Sequence, residues 1–224
     1  MVDMDKKLIE KFPGVFEIER KIVTKNLING NPVYGERIFK IGEDEYRAWD
    51  PNRSKLCAAM RKGLQNLYIK KGDKVLYLGA ATGTTSSHVS DIVEKNGLVY
   101  CVEFAPISFR KLIPVCEKRE NMLPIMGDAK KPDMYNNIEK VDIVYEDVAQ
   151  PDLADILLIN CRYFLKKGGY AMLAVKSQSI DVTKNPEDIY EKTIEKLKKE
   201  LTILETIILD PYEKDHMFIV ARKD

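Results

Sequence analysis

Tyr77-Leu78-Gly79-Ala80-Ala81-Thr82-Gly83-Thr84-Thr85 decides the fold of this chain. An apolar run, Val75-Leu76-Tyr77-Leu78, stops at Gly79, and a helical pattern begins near Thr85. Gly79 and Gly83 let the backbone turn and let a ligand approach the peptide groups. Thr84 or Thr85 caps the following helix, and the free amides of its first turn suit a carboxylate. The next apolar run, Leu98-Val99-Tyr100-Cys101-Val102, ends at Glu103, twenty residues beyond Gly83. An acid in that place accepts hydrogen bonds from ribose hydroxyls. Strand, glycine turn, helix, strand and acid together describe a site for an adenosine-containing cofactor. The Gly-x-x-x-Gly spacing departs from the Gly-x-Gly-x-x-Gly of dinucleotide sites, which weighs against a nicotinamide oxidoreductase.

Outward from this turn the pattern repeats. Met122-Leu123-Pro124-Ile125-Met126, Val141-Asp142-Ile143-Val144-Tyr145 and Tyr170-Ala171-Met172-Leu173-Ala174-Val175 read as further buried strands. Helical stretches lie at roughly 85–95, 107–119, 152–166 and 187–200. Apolar strands alternating with amphipathic helices imply a parallel sheet covered on both faces. The last two strands, 202–209 and 216–221, are separated by only six residues, too few for a crossover helix. They must form an antiparallel hairpin. The expected fold is α/β: a Rossmann-like seven-stranded sheet, mostly parallel with a terminal antiparallel hairpin, as in class I S-adenosylmethionine-dependent methyltransferases.

Towards the amino terminus the texture changes. Asp50-Pro51 breaks the chain, and apolar residues at helical spacing run from Ser54 to about Tyr68. Before the break, Val15-Phe16-Glu17-Ile18-Glu19 and Arg37-Ile38-Phe39-Lys40-Ile41 alternate with period two, and Asn29-Gly30 reads as a hairpin turn. The expected organisation is a small antiparallel β domain over residues 1–50 and a methyltransferase domain over 51–224.

The 224 residues are 45% hydrophobic and 32% charged, so neither a disordered nor a collagenous chain fits. Lys+Arg of 36 against Asp+Glu of 35 leaves a net charge of +1, which argues against gripping bare nucleic acid by bulk charge. Cys57, Cys101, Cys116 and Cys161 include no Cys-x-x-Cys pair. They are read as reduced and mostly buried, and no metal site is expected. Met1–Lys7 has no apolar core of a secretory leader, and no run approaches the ~20 residues of a membrane span. The expectation is a soluble, cytoplasmic protein without a membrane partner.

Several polar residues gather at strand ends. Asp128, in Gly127-Asp128-Ala129, is either a turn residue or an acceptor for an adenine amino group. Phe104 either stacks on that adenine or packs in the core. Glu146-Asp147-Val148-Ala149-Gln150 follows the fourth strand, where open α/β sheets bind ligands. Lys176 follows an apolar strand directly and either snorkels at the rim or has a purpose there. Lys55, at the head of the helix after Pro51, and His216, at the head of the last strand, complete the set. His88 is read as packing within its own helix.

Taken together, Trp49-Asp50-Pro51-Asn52-Arg53-Ser54-Lys55-Leu56, the glycine turn, His88–Val93, Val102-Glu103-Phe104, Gly127-Asp128-Ala129, Glu146–Pro151 and Lys214-Asp215-His216 resemble fibrillarin in its archaeal form. The resemblance runs from about residue 13 to the end. It implies S-adenosylmethionine-dependent 2′-O-methylation of ribose in rRNA and tRNA, directed by box C/D guide RNA. It implies a Lys-Asp-Lys-His tetrad at Lys55, Asp147, Lys176 and His216. It places cofactor contacts at Thr84, Thr85, Glu103, Phe104, Asp128, Ala129, Asp147, Val148, Ala149 and Gln150. The implied partners are a Nop-domain scaffold protein and, through it, a kink-turn-binding ribosomal-protein-like subunit. The chain departs from the family at Ala105-Pro106-Ile107-Ser108, where a basic residue is frequent, and at Asp50, where Asn is usual. It has no Gly/Arg-rich extension of the nucleolar members.

Methyl transfer to a hydroxyl requires alignment and a proton acceptor. Lys176 is the candidate base, oriented by Asp147, with Lys55 and His216 positioning the ribose and phosphate. The near-zero net charge leaves RNA affinity to partners and guide. Competing readings are a protein glutamine methyltransferase, a small-molecule O-methyltransferase and a non-catalytic scaffold subunit of a ribonucleoprotein.

Overall fold

The computed structural model describes residues 7–224. The leader reading above falls mostly on residues 1–6, outside the described residues, as does the start of the proposed β domain.

Five short strands form the amino-terminal sheet: β1 (Ile9–Phe12), β2 (Val15–Ile18), β3 (Lys21–Lys25), β4 (Ile38–Ile41) and β5 (Asp44–Ala48). They lie in the order β1-β2-β3-β5-β4, and every pairing is antiparallel. Sequence alternation located β2 and β4 only. The other three are four or five residues long and interrupted by charge, so pairing rather than pattern defines them. Asn29-Gly30 is a turn, with the Asn31 amide donating to the Ile28 carbonyl at 3.2 Å. It does not close a hairpin, because β3 and β4 each pair with β5 and not with each other.

The helix α1 (Lys55–Arg61) ends well before Tyr68. Ser54 caps it by accepting from the Cys57 amide at 3.4 Å. Gly63, at φ +102°, turns the chain out of helical geometry. Leu64 and Leu67 are buried from an irregular segment instead.

The second sheet is built from β6 (Lys74–Leu78), β7 (Leu98–Glu103), β8 (Met122–Met126), β9 (Val141–Glu146), β10 (Leu165–Lys176), β11 (Thr202–Ile208) and β12 (His216–Arg222). Their order is β11-β12-β10-β9-β6-β7-β8. The run from β10 to β8 is parallel, and β12 is antiparallel to both its neighbours. The connecting helices are α2 (Thr84–Val93), α3 (Pro106–Lys118), α4 (Leu153–Phe164), a one-turn α5 (Ser177–Ile180) and α6 (Pro186–Leu197). The short α5 carried no periodicity to read. Strand order reverses between β6 and β9, and ligands of open α/β sheets bind outside the carboxyl ends at such a point. Gly79 follows β6 there and Asp147 follows β9.

Alternate residues of each strand face opposite layers. Tyr77 and Tyr145 belong to a cluster that includes α1 residues together with Val15, Ile22 and Trp49, so the amino-terminal sheet shares this core. Leu76, Leu78 and Val144 pack on the α4 side. All four cysteines are buried and unpaired, as read. Among the described residues no helix is long and apolar enough to cross a membrane.

A buried polar joint ties the two sheets. The Asp91 carboxylate on α2 accepts from Thr24 Oγ1 (2.8 Å), the Leu27 amide (3.0 Å), Arg47 Nη1 (2.9 Å) and Arg119 Nη1 (2.7 Å). Arg47 Nε also donates to Glu36 Oε1 at 2.5 Å. His88 belongs to this joint rather than to contacts within its own helix. Its ring stacks on Trp49 with centroids 4.5 Å apart and bridges Thr24 and Tyr34. Burial between Arg47 and Arg119 drives its pKa well below the usual histidine range.

Candidate active site

A cleft of about 440 Å³ opens at the strand-order reversal. Gly79, Glu103, Phe104, Asp128, Ala129 and the segment Asp147-Val148-Ala149-Gln150 line it, as the sequence reading placed them. Its geometry begins with Gly79 at φ +81°. A Cβ there would lie 2.4 Å from the Asp147 carbonyl oxygen, so the turn after β6 packs directly on the turn after β9. The Asp147 amide donates to the Leu78 carbonyl at 3.0 Å and locks the two turns together.

Glu103 is fixed before any ligand arrives. Its Oε2 accepts from the Ala81 amide and its Oε1 from the Ala105 amide, each at 2.7 Å. Each oxygen keeps a further lone pair for a ribose hydroxyl. Ala81, at φ +50°, is a non-glycine residue in left-handed geometry, which is how its amide reaches Glu103. Sequence reading missed Ala81 and Ala105, because a backbone donor leaves no residue-type signature. Phe104 is 69% exposed at the rim, which excludes the core alternative. Asp128 closes an Asx turn with the Lys130 amide at 3.0 Å, as its turn reading has it, and also lines the cleft.

Thr84 and Thr85 need correction. Gly83 occupies the cap position of α2, at φ +92°, and no side chain caps the helix. Thr85 Oγ1 instead donates to Ser54 Oγ at 2.9 Å, tying the head of α2 to the head of α1. Neither threonine nor Gly83 lines the cleft wall. The first-turn amides of α2 still lack intrahelical partners.

Two residue pairs lie at this carboxyl end of the sheet, and one of their members, Asp147, lines the cleft. Lys55 Nζ lies 3.0 Å from Asp147 Oδ1 and 3.2 Å from Oδ2, both side chains 21% exposed. The capping of α1 by Ser54 aims Lys55 across the sheet end at this partner. Lys176 closes β10 and stands directly opposite His216, the first residue of β12. His216 is buried, and its Nδ1 donates to the Lys214 carbonyl at 2.7 Å, which places a proton on Nδ1 and leaves Nε2 as the other ring nitrogen. Asp147 therefore pairs with Lys55 and not, as expected from sequence, with Lys176. Among the described residues Lys176 forms no ion pair.

The residues fit S-adenosylmethionine. A preset carboxylate suits the ribose, a glycine cradle leaves no room for a Cβ, and an exposed aromatic stands by Asp128 for the adenine. Fold and site together define a class I S-adenosylmethionine-dependent methyltransferase. The fibrillarin family model matches residues 6–224, and the chain belongs to that family. A fibrillarin-like rRNA/tRNA 2′-O-methyltransferase of Pyrococcus furiosus is 51% identical over the whole of both chains. The crystal structure of Aeropyrum pernix fibrillarin with natively bound S-adenosyl-L-methionine is 46% identical, with TM-score 0.90, over 99% of this chain and 100% of that one. The fibrillarin chain of a fibrillarin/Nop5p complex is 39% identical, also at TM-score 0.90, over 96% and 100%.

Proposed function

We infer that this protein transfers the methyl group of S-adenosylmethionine to ribose 2′-hydroxyls of rRNA and tRNA. The observation that carries the reading is two residue pairs at the sheet end that holds the cleft: Lys55 paired to the cleft-lining Asp147, and Lys176 in register with His216. The bound cofactor supplies an activated methyl on a sulfonium. The chain's own residues then have two tasks, alignment and proton removal. Glu103 orients the nucleoside, with Phe104 and Asp128 at the adenine. Lys55 holds the Asp147 carboxylate in place at the cleft wall. Lys176, free of any carboxylate partner among the described residues, acts as the base in its uncharged amine form: Nζ takes the 2′-hydroxyl proton as the ribose oxygen bonds the methyl, whose electron pair to sulfur stays with the departing thioether. The Nε2 of His216 and the Lys55 ammonium position the ribose and its phosphate. No metal step is invoked.

A net charge of +1 gives little general affinity for RNA. We therefore assign target choice to a box C/D guide RNA. The Nop5p complex of the related fibrillarin supports a Nop-domain scaffold as the direct partner. A kink-turn-binding ribosomal-protein-like subunit joins through that scaffold, and the assembly works in the cytoplasm.

Tritium transfer to guide-paired RNA, with scaffold and guide present or omitted, tests the reading. Transfer should require both. Lys176→Ala should lower single-turnover methylation by at least ~10², with cofactor affinity unchanged. Lys176→Arg should not restore it, because a guanidinium keeps its proton at neutral pH. Normal turnover of the arginine variant rejects lysine as the base. Efficient transfer to free RNA by the chain alone rejects partner dependence.

A further inference from the structure

A second cavity, of about 460 Å³, opens between the amino-terminal sheet, the Asp50–Arg53 segment and Tyr212. The cofactor site does not use it. Arg20, Lys21, Arg37, Arg53 and Arg61 line it, against two carboxylates, Glu36 and Asp50. Glu36 is already neutralised by buried Arg47 behind the wall. Asp50 Oδ1 accepts from the Asn52 amide at 2.9 Å. Arg37 leans on Glu19 at 3.3 Å and Arg61 on Glu17 at 3.7 Å. Among the described residues Arg20, Lys21 and Arg53 have no anionic partner. Set against the one unpaired carboxylate, Asp50, these three cations leave the cavity an excess of positive charge, a local attraction for a polyanion in a chain of net charge +1.

Two further features shape the cavity. Glu19 and Arg20 form the two-residue turn between β2 and β3, with φ of +50° and +63°. Asn-Gly is the usual occupant of such turns, and two larger residues there hold backbone strain. Arg61 Nη1 braces the turn by donating to the Arg20 carbonyl at 3.0 Å. Tyr34 supplies a flat wall. Its hydroxyl donates to the Ala48 carbonyl at 2.9 Å, and the Arg53 guanidinium lies 4.8 Å above its ring. The anchored ring thereby holds the Arg53 guanidinium in one place, with donors left to face an anion.

Two residues of the cavity lie close in sequence to members of the tetrad. Arg53 precedes Lys55 by two residues, and Tyr212 precedes His216 by four. We propose that this cavity binds the RNA backbone flanking the modified ribose, with Arg20, Lys21 and the Tyr34-stacked Arg53 on phosphates. The inference rests on the RNA methyltransferase reading above and adds the route by which the strand leaves the active site.

The test uses the full chain assembled with scaffold, kink-turn-binding subunit and guide. Single-turnover methylation is followed against substrate RNA concentration and salt for wild type, Arg20→Glu/Arg53→Glu and the milder Arg20→Gln/Arg53→Gln. Thermal midpoint and cofactor affinity are measured alongside. The half-saturating RNA concentration should rise at least ~10-fold for the glutamate pair and less for the glutamine pair. The log–log salt slope should fall by about two, one for each lost phosphate contact. The plateau rate and cofactor affinity should stay near wild type. Wild-type half-saturation and salt slope in a folded variant overturn the proposal. A loss confined to scaffold binding, measured without RNA, also overturns it and assigns the cavity to an acidic protein segment. If wild type itself fails to methylate guide-paired RNA, the underlying methyltransferase reading falls first.

Discussion

Replacing Gly79 by alanine concentrates the logic of the site in one methyl group. The new Cβ would stand 2.4 Å from the Asp147 carbonyl oxygen, 3.0 Å from its carbonyl carbon and 3.1 Å from Val148 Cγ1. Two of these neighbours are backbone and cannot swing aside. Reaching ordinary contact near 3.4 Å requires Asp147 to retreat by about 1 Å. Left-handed geometry costs alanine ~1–2 kcal/mol, and overpacking adds ~1–3 kcal/mol. A stability loss of about 2–5 kcal/mol follows, read by urea denaturation. The displaced residue carries the carboxylate that holds Lys55 Nζ at 3.0 Å and begins the segment lining the cofactor cleft. A ~1 Å misplacement near reacting groups costs roughly 10² in rate. Methylation should fall by that factor in the fraction that remains folded, and calorimetric affinity for S-adenosylmethionine should weaken. Gly83→Ala is the control. Gly83 has a similar φ of +92°, but its Cβ would meet only the Leu112 and Val115 side chains, at 3.2 and 3.3 Å. It should be less destabilised and at least tenfold more active than Gly79→Ala. Equal effects at both glycines, or a Gly79→Ala protein with wild-type methylation, would refute the close packing of the two turns as the cause.

Three other outcomes follow from the geometry. Glu103→Ala should weaken S-adenosylmethionine binding by roughly 1–3 kcal/mol in calorimetry, since it removes a charged acceptor preset by two amides; unchanged affinity removes Glu103 from the site. Asp91→Ala should destabilise the fold by about 3–5 kcal/mol in urea, because two buried guanidiniums lose their shared carboxylate; a loss below ~1 kcal/mol would show that the joint holds little. Glu146 is fully buried, its oxygens lack partners, and desolvation beside Asp147 and Asp152 raises its pKa well above the usual range. The native state therefore keeps this proton while the unfolded chain releases it above pH ~4.5, so its contribution is full below that pH and declines as pH rises, by up to ~1.4 kcal/mol per unit. Glu146→Gln should remove this slope, so its stability relative to wild type climbs with pH; parallel stability–pH curves would falsify the assignment.

Much of the fold lay within local sequence. The apolar runs of β6, β7, β9 and β10 are long enough to read, and each is buried on both faces, so neighbouring residues repeat the same message. The glycine turn after β6 was legible for a similar reason: Gly79 and Gly83 adopt backbone geometry that few other residues tolerate. The hairpin of β11 and β12 followed from connection length alone. The strands of the amino-terminal sheet were another matter. Lys21–Lys25 and Asp44–Ala48 are short and half charged, and they become strands because each is paired on both sides, β3 between β2 and β5 and β5 between β3 and β4.

The members of the site were also legible, through acids, lysines and a histidine at strand ends and a match to a family pattern. Their partnerships were not. Asp147 pairs with Lys55, 92 residues earlier, because Ser54 caps α1 at the point where Thr85 meets it. Lys176 stands opposite His216 because of an antiparallel register set by seven paired residues. The donors to Glu103 are amides, and an amide looks the same in every residue. Residue type and spacing announce which chemistry is present. Which groups face one another depends on register, capping and close packing between distant segments, and these exist only once the chain has closed.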